Sequence, residues 1–299
     1  MDGVSTYGLD RMVLDAATRL QTAVAAKEVQ EASGLVGQTY GALGSESGNL
    51  INLQNQVSQM QSLSSAASTA SNRAQAMYTA VGDMITMLTS LRSSISSAIS
   101  SSDNSTLASE AQGTLSDLAN AMNTEQGGTY LFSGSRTDTA PVDVSDPPYA
   151  SSTDPTTAST SYYQGDDSKA AVQLSDEDSI TYGVTADNPA FEEALRVANV
   201  VANVSSSDST TLKEAYDLAT TALTALADVQ GQLSISSARL DEAQQEQTSS
   251  LSLLQTMVSN ITSVDVAQVT AQVSTYQAQL EASYSAVAAV AKIHLANYL

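Results

Sequence analysis

The sequence predicts a mainly α-helical protein, with long antiparallel coiled-coil helices from the two chain halves and a small β-containing central insert domain. Heptad rows of apolar residues in both halves predict the helices. All five prolines fall between Pro141 and Pro189, and the alternating apolar patterns lie in the same region. This distribution predicts the insert.

The first heptad row lies between Leu50 and Ala98. Apolar residues recur there in steps of three and four, with one extra step of three from Met60 to Leu63. The row predicts a long coiled-coil helix, and the extra step is a stammer. Only Gly82 interrupts it, which destabilises a helix by roughly 1 kcal/mol relative to Ala.

A second heptad row in the C-terminal half consists of Leu226, Leu233, Leu240, Gln247, Leu254 and Ile261. Two long helices of similar length predict an antiparallel pair. The core of this pair is expected to contain Val81, Leu88, Leu91, Leu233, Leu240 and Leu254. The polar Gln247 either fixes the register of the pair or is simply tolerated.

Narrower apolar stripes occupy the two ends of the chain, at residues 1–33 and 263–299. Neither contains enough apolar area to be stable alone, so these helices are expected to become ordered when they pack in an assembly. The residues expected at that assembly interface are Leu9, Val13, Leu20, Val273, Leu280, Ala282, Val287, Val290, His294 and Leu299.

The remaining residues complete the predicted domain division. A Gly-rich connector spans 34–49, the coiled-coil domain spans 50–126 and 204–262, and the insert spans 127–203. Short strands are expected within 127–134, 171–174 and 180–184, and Asn188 is expected to cap a helix that starts at Pro189. The polar run from Val142 to Ser161 is expected to be a long exposed loop.

Composition and charge exclude several classes of function. Eleven basic residues against 32 acidic ones give a net charge of −21, which disfavours nucleic acid and anionic lipid as partners. No apolar run approaches the ~20 residues of a membrane span. The opening residues lack the features of a cleavable signal, which predicts either a cytoplasmic protein or export by another route.

Candidate chemistry is equally sparse. The chain has no cysteine and one histidine, so no catalytic or cofactor site is expected. His294 is interpreted as a packed or interface residue that could titrate near neutral pH. Acidic residues at 166–167 and 176–178 raise the possibility of a calcium site, but their spacing matches no EF-hand loop. They are interpreted as solvated turns, and no metal site is expected.

Particular motifs resemble the flagellin superfamily. The segments 264–267, 277–284 and 294–299, which read VDVA, QAQLEASY and HLANYL, look like the C-terminal helix of that family. The segments GTYLFSGSRT at 128–137 and YYQGDD at 162–167 are similar to the outer domain of hook-filament junction proteins within it. The N-terminus lacks the usual opening of filament flagellins, which favours the junction subgroup.

The resemblance implies a structural, non-enzymatic subunit of the extracellular bacterial flagellum, exported without a cleaved signal peptide through the flagellar type III apparatus. Its expected partners are further copies of itself in a helical tube or ring, neighbouring hook or filament proteins, and an export chaperone. The terminal helices would form an inner tube and the insert the outer surface. Two alternatives stay open: a main filament flagellin, and an intracellular coiled-coil scaffold or signalling protein. An enzyme with a helical arm would need converging polar residues, which the insert does not supply.

Overall fold

The computed structural model describes residues 6–101, 105–145, 147–175, 177–204 and 208–296. Its helices are α1 (Thr6–Ser33), α2 (Ser47–Ser101), α3 (Leu107–Met122), α4 (Pro147–Ala150), α5 (Pro189–Asn203), α6 (Ser209–Thr262) and α7 (Val266–Ala296), with a 3-10 helix at Tyr40–Glu46. Its strands are β1 (Glu125–Gln126), β2 (Thr129–Tyr130), β3 (Ala171–Gln173) and β4 (Ser179–Thr181). The predicted fold class, mainly α with a small β-containing insert, is confirmed.

The chain forms two compact units. The terminal unit combines Met1–Gln59 with Ser250–Leu299, and the central unit is Met60–Ser249. Both long helices, α2 and α6, contribute residues to each unit.

Within the central unit, α2 and α6 run antiparallel, as the two heptad rows predict. Three contacts establish the direction: Ser71 Oγ to Asp241 Oδ1 at 2.8 Å, Gln230 Nε2 to Tyr78 O at 3.4 Å, and the Arg92 guanidinium 6.0 Å from the Tyr216 ring centre. Residue numbers therefore rise along α2 as they fall along α6. Eleven of the fifteen apolar residues in the first row are buried, and the other four are half-buried.

The chain between α2 and α6 packs on this helix pair through helices and two hairpins, and it includes α3 and β1, which lie before the insert boundary predicted at residue 127. Helices α3 and α5 lie against each other, and their apolar faces join the core of the pair. Strand β1 pairs with β2 across Gly127 and Gly128, whose φ angles of 61° and 79° suit a two-residue hairpin turn. Strand β3 pairs with β4 in the register Ala171 to Thr181.

The start of α5 follows its sequence signals. Asn188 Oδ1 accepts a 3.0 Å hydrogen bond from the backbone N–H of Ala190, and Pro189 occupies the first turn. The predicted N-cap is therefore confirmed, and it satisfies one of the donors that a helix start leaves open.

Two details predicted for the insert are correct only in part. The strand expected around Tyr130 ends there, because Leu131 and Phe132 turn into the core, where the Phe132 ring packs edge-to-face on Phe191 at 5.6 Å. The segment after Val142 is not an exposed loop throughout: Tyr149 is buried, and the Asn199 side chain donates a 2.6 Å hydrogen bond to its carbonyl.

The terminal segments also differ from expectation in one respect. The sequence suggested that their stripes lack a partner within one subunit, but α1 and α7 pack against each other in the terminal unit. None of the helices in the described ranges is long and apolar enough to cross a bilayer.

Candidate assembly site in the terminal unit

Helices α1 and α7 of the terminal unit are antiparallel and joined by polar side chains. Thr270 Oγ1 donates to Glu31 Oε1 at 2.6 Å, and Gln277 Nε2 donates to Glu28 Oε1 at 3.1 Å. Both carboxylates lie near the end of α1, where they anchor the first turns of α7.

Backbone pairing between the two connecting segments holds the base of this helix pair. The N–H of Val36 donates to Thr262 O at 2.8 Å, and the N–H of Val264 donates to Gly34 O at 2.9 Å. Gly34 has a φ of 68° and ends α1 in the left-handed conformation that glycine adopts readily. The sequence predicts Gly34 only as part of a connector. In the structure its carbonyl also accepts the hydrogen bond that joins the segment after α1 to the segment after α6.

The core of the terminal unit is thin. Its buried apolar side chains among the described residues are Ala17, Val24, Leu50, Val269 and Val273. The larger of the two clusters in the central unit contains 35 buried apolar residues by comparison, including the fully buried rings of Phe132, Tyr162 and Phe191. The terminal unit therefore buries little apolar area within one subunit.

The structure places the predicted interface residues at several depths. Val273 is buried, Val13, Leu20, Leu280 and Val287 are half-buried, and Ala282 is exposed. Leu9, Val290 and His294 lie in helices, but their side chains are outside the described part of the structure, as is the whole of Leu299.

Exposed apolar side chains are concentrated in the terminal unit. Ten of the eleven large apolar residues that are exposed in the described chain belong to it: Met12, Leu14, Val29, Leu35, Tyr40, Ile51, Leu253, Met257, Val266 and Tyr284. The eleventh is Ile235 in the central unit. Contiguous exposed apolar surface marks sites of association, so these residues are the candidates for such a site.

The predicted intrasubunit core lies mostly in the central unit. Val81, Leu88, Leu91, Leu233 and Leu240 are all buried there. Leu254 belongs to the terminal unit and is only half-buried. The residues of the α6 heptad row are thus less buried in the terminal unit than in the central unit.

One of the acidic residues considered for calcium, Asp166, serves as a structural connection. The carboxylate of Asp166 accepts hydrogen bonds from the Ser135 N–H at 2.9 Å, the Ser135 hydroxyl and the Ser168 N–H at 3.0 Å. These donors, the hydroxyl first, lower the pKa of the Asp166 carboxyl to about 2. Gly134 has a φ of 74° and passes so close to Asp166 that a Cβ there would clash with its carbonyl.

Asp176 lies outside the described residues. Over the residues that are described, no group of three or more metal-ligating side chains could hold an ion.

The fold and these surfaces define a mainly helical chain with a terminal unit that has a small core and exposed apolar side chains, and part of this chain matches a known family model. Residues 216–299 match the bacterial flagellin C-terminal helical region. The flagellin resemblance of the sequence is thereby confirmed, over a longer segment than its motifs covered. No curated protein matches the chain.

Two solved structures share the fold. A putative flagellar hook-associated protein from Vibrio parahaemolyticus has a TM-score of 0.59 at 14% identity, covering 73% of this chain and 97% of that one. FlgL from Bacillus cereus has a TM-score of 0.54, also at 14% identity, covering 68% of this chain and 97% of that one.

Sequence reasoning missed part of the exposed apolar surface. Leu253 and Met257 lie on α6 outside its heptad row, so they were not assigned to any interface. The available signal was their position in the uncharged run 247–264.

Proposed function

We propose that the chain is a structural subunit of the extracellular bacterial flagellum that self-assembles through its terminal unit and acts as a hook-filament junction protein. The observation that carries this proposal is the distribution of exposed large apolar residues: among the side chains that the structure describes, all but Ile235 belong to the terminal unit. The match of residues 216–299 to a flagellin region supports it independently.

The proposal includes export in an unfolded state through the flagellar type III apparatus. The small terminal core supports this route, because few buried contacts have to be lost to unfold that unit. An export chaperone would cover the terminal helices before assembly. After export, further copies of the chain and neighbouring hook or filament proteins would cover them instead.

Within the proposed assembly, a face of small residues on α7 allows neighbouring backbones to approach closely. Ala278, Ala282, Ala286 and Ala289 recur on α7 at helical spacing and are exposed in the single chain. We expect Ala282→Leu to abolish polymerisation, because overpacking destabilises by about 1–3 kcal/mol per site and a polymer repeats that effect at each subunit. The melting temperature of the monomer should stay unchanged, since the side chain is exposed.

The measurement is sedimentation of wild type and variant under identical assembly conditions, together with thermal melts of both monomers. Ala227→Leu is the matched control, an exposed alanine on α6 in the central unit, and should sediment like wild type. Pelleting of Ala282→Leu at the wild-type level would remove α7 from the proposed interface.

Electron microscopy of the assembled wild type distinguishes the proposed junction protein from the alternative, a main filament flagellin. A filament subunit forms micrometre-long tubes by itself. A junction subunit forms short rings or stacks and extends only on hook or filament ends. Wild-type protein that forms no assembly under any of these conditions would contradict the structural proposal as a whole.

A further inference from the structure

Electrostatics restricts where two copies of this chain can meet. The net charge of −21 makes copies repel each other, yet the stretches 32–45, 47–72 and 247–264 contain no charged side chain. Solvent-facing helices normally present charges of both signs. The parts of these stretches that belong to the terminal unit, 32–45, 47–59 and 250–264, therefore form a surface without charged side chains.

One side of this neutral surface projects an apolar knob, which we define as Leu253 and Met257. They are 63% and 44% exposed and lie one helical turn apart on α6. Their exposure far exceeds that of the neighbouring heptad positions Leu254 and Val258, which are half-buried. The knob therefore does not contribute to the helix pairing within the subunit.

A second side of the same surface contains a hollow of about 390 Å³, lined by Leu35, Thr39, Tyr40, Leu43, Leu50 and Val258 among others. Tyr40 borders it, with its hydroxyl donating to Gln54 Oε1 at 2.8 Å. Thr262 also lines the hollow, and at ~100° per residue Leu253 lies about 180° around α6 from it. Met257 lies about 100° around α6 from Val258, the other α6 residue at the hollow, so knob and hollow face different sides of α6.

We propose that the knob of one copy inserts into the hollow of the next copy, a contact that rests on the self-assembly proposed above. A second copy is the occupant that the charges favour, because the uncharged stretches remove self-repulsion there and offer no counter-charge to a basic or acidic partner. The two surfaces differ from each other, so the contact is head-to-tail. Such a contact propagates into a ring or a helical polymer and does not stop at a dimer.

The absence of cysteine allows a direct test by cross-linking. Ser250→Cys places a thiol beside the knob without altering it, and Thr39→Cys places one at the hollow. The two single-cysteine proteins are mixed, assembled, pelleted and treated with a short bismaleimide. The expected product is a mixed dimer of the two variants, identified by mass spectrometry of the joined peptides.

Ser234→Cys, exposed on α6 in the central unit, is the matched control and should give no product with Thr39→Cys. Pelleted polymer with no 39–250 product, or with 250–250 product dominant, would overturn the knob-in-hollow contact while leaving the proposed function intact. Failure of wild type to assemble either alone or on hook or filament ends would instead overturn the proposed function, and this contact with it.

A second arm changes the knob itself. The double variant Leu253→Ser, Met257→Ser should raise the concentration needed for assembly by at least roughly tenfold, because each buried apolar side chain contributes more than a tenfold change in affinity. Ile235→Ser removes a side chain of comparable exposure, 59%, from the same helix and should leave that concentration unchanged. Equal effects of the two changes would show that the knob has no specific partner.

Discussion

The side chain of Gln247 connects α6 to the β3–β4 hairpin. It is buried in the central unit, and its Nε2 donates a 3.0 Å hydrogen bond to the carbonyl of Leu174. Leu174 itself packs with Tyr182 and Leu240 in a small cluster under the hairpin. The polar residue in the heptad row thus anchors the insert, a role that neither register fixing nor simple tolerance describes.

We expect Gln247→Ala to lower the free energy of unfolding by about 1–3 kcal/mol, because the buried carbonyl of Leu174 would lose its partner. Urea denaturation followed by circular dichroism measures the change. The exposed neighbour Gln245 provides the control, and Gln245→Ala should change stability by less than about 0.5 kcal/mol. If Gln247→Ala and wild type had the same free energy of unfolding, a water molecule would be replacing the amide as donor to the Leu174 carbonyl without loss of stability.

Asp166 gives the central unit a stability that depends on acid pH. Its carboxyl pKa is lowered to about 2 in the folded chain, chiefly by the Ser135 hydroxyl, so folding favours the ionised form. This contribution is fully present above the ordinary aspartate pKa of about 4 and is lost as the pH falls toward about 2.

Asp166→Asn should therefore be less stable than wild type at neutral pH, and the difference should shrink between about pH 4 and about pH 2. Urea midpoints of both proteins across this range measure it. Asp167→Asn changes the neighbouring exposed carboxylate and controls for the loss of one charge. If the stability difference between Asp166→Asn and wild type does not change with pH, then the asparagine disturbs packing. The hydrogen bonds to the ionised Asp166 carboxylate would in that case contribute little.

At the scale of elements, the α2–α6 pair contributes side chains to both buried clusters of the central unit. Leu88 and Leu240 are fully buried, on α2 and α6 respectively. Leu88 belongs to the main core and Leu240 to the cluster beneath the β3–β4 hairpin. The two leucines therefore report on separate parts of the same helix pair.

Leu88→Ala and Leu240→Ala should each lower the free energy of unfolding by about 2–5 kcal/mol, the range for large-to-small changes in a core. Because the two sites lie in separate clusters, their effects should add in the double variant. The exposed Ile235 on α6 is the control, and Ile235→Ala should have little effect on urea melts. A loss below about 0.5 kcal/mol for either leucine would contradict its burial.

The elements differ in how far the sequence predicts them, for physical reasons. The heptad rows repeat one signal over many turns, so burial at Leu88 or Leu233 could be predicted from spacing alone. The burial of Tyr149 depends on Asn199, fifty residues away, and no local pattern reports such a contact. A two-residue strand such as β2 is likewise set by its pairing and not by its composition.

The packing of the terminal helices was predictable in part for the same reason. Val273 follows the stripe of α7 and is buried within the single chain, so periodicity predicts its burial, while its place at an assembly interface stays a prediction. Leu253 and Met257 lie outside the heptad row of α6, so heptad spacing makes no prediction for them. Their exposure depends on which faces of α6 are covered in the folded chain, and only the structure shows this.

At the scale of the whole molecule, charge and apolar exposure are segregated along the chain. The central unit contains 24 acidic and seven basic residues, a net charge of −17, whereas the terminal unit contains eight and four, a net charge of −4. The exposed large apolar residues follow the opposite distribution. Repulsion in any assembly therefore arises mainly between central units, and attraction mainly between terminal units.

This segregation predicts that assembly becomes stronger as ionic strength rises. Raising monovalent salt from about 0.01 M to about 1 M shortens the Debye length from about 30 Å to about 3 Å, which screens the central units from one another. Apolar contacts between terminal units are not weakened by this change. The critical concentration for polymerisation, measured by sedimentation at several salt concentrations, should fall steadily.

Charge reversal in the central unit separates screening from a general salting-out effect. Replacing four of its exposed acidic residues, Glu214, Asp217, Asp228 and Glu242, by lysine raises the net charge by eight units without touching the terminal unit. This variant should assemble at lower salt than wild type and depend less on salt, because the repulsion to be screened is smaller. An unchanged salt dependence would place the controlling charges in the terminal unit, where Glu28 and Glu31 already bind α7.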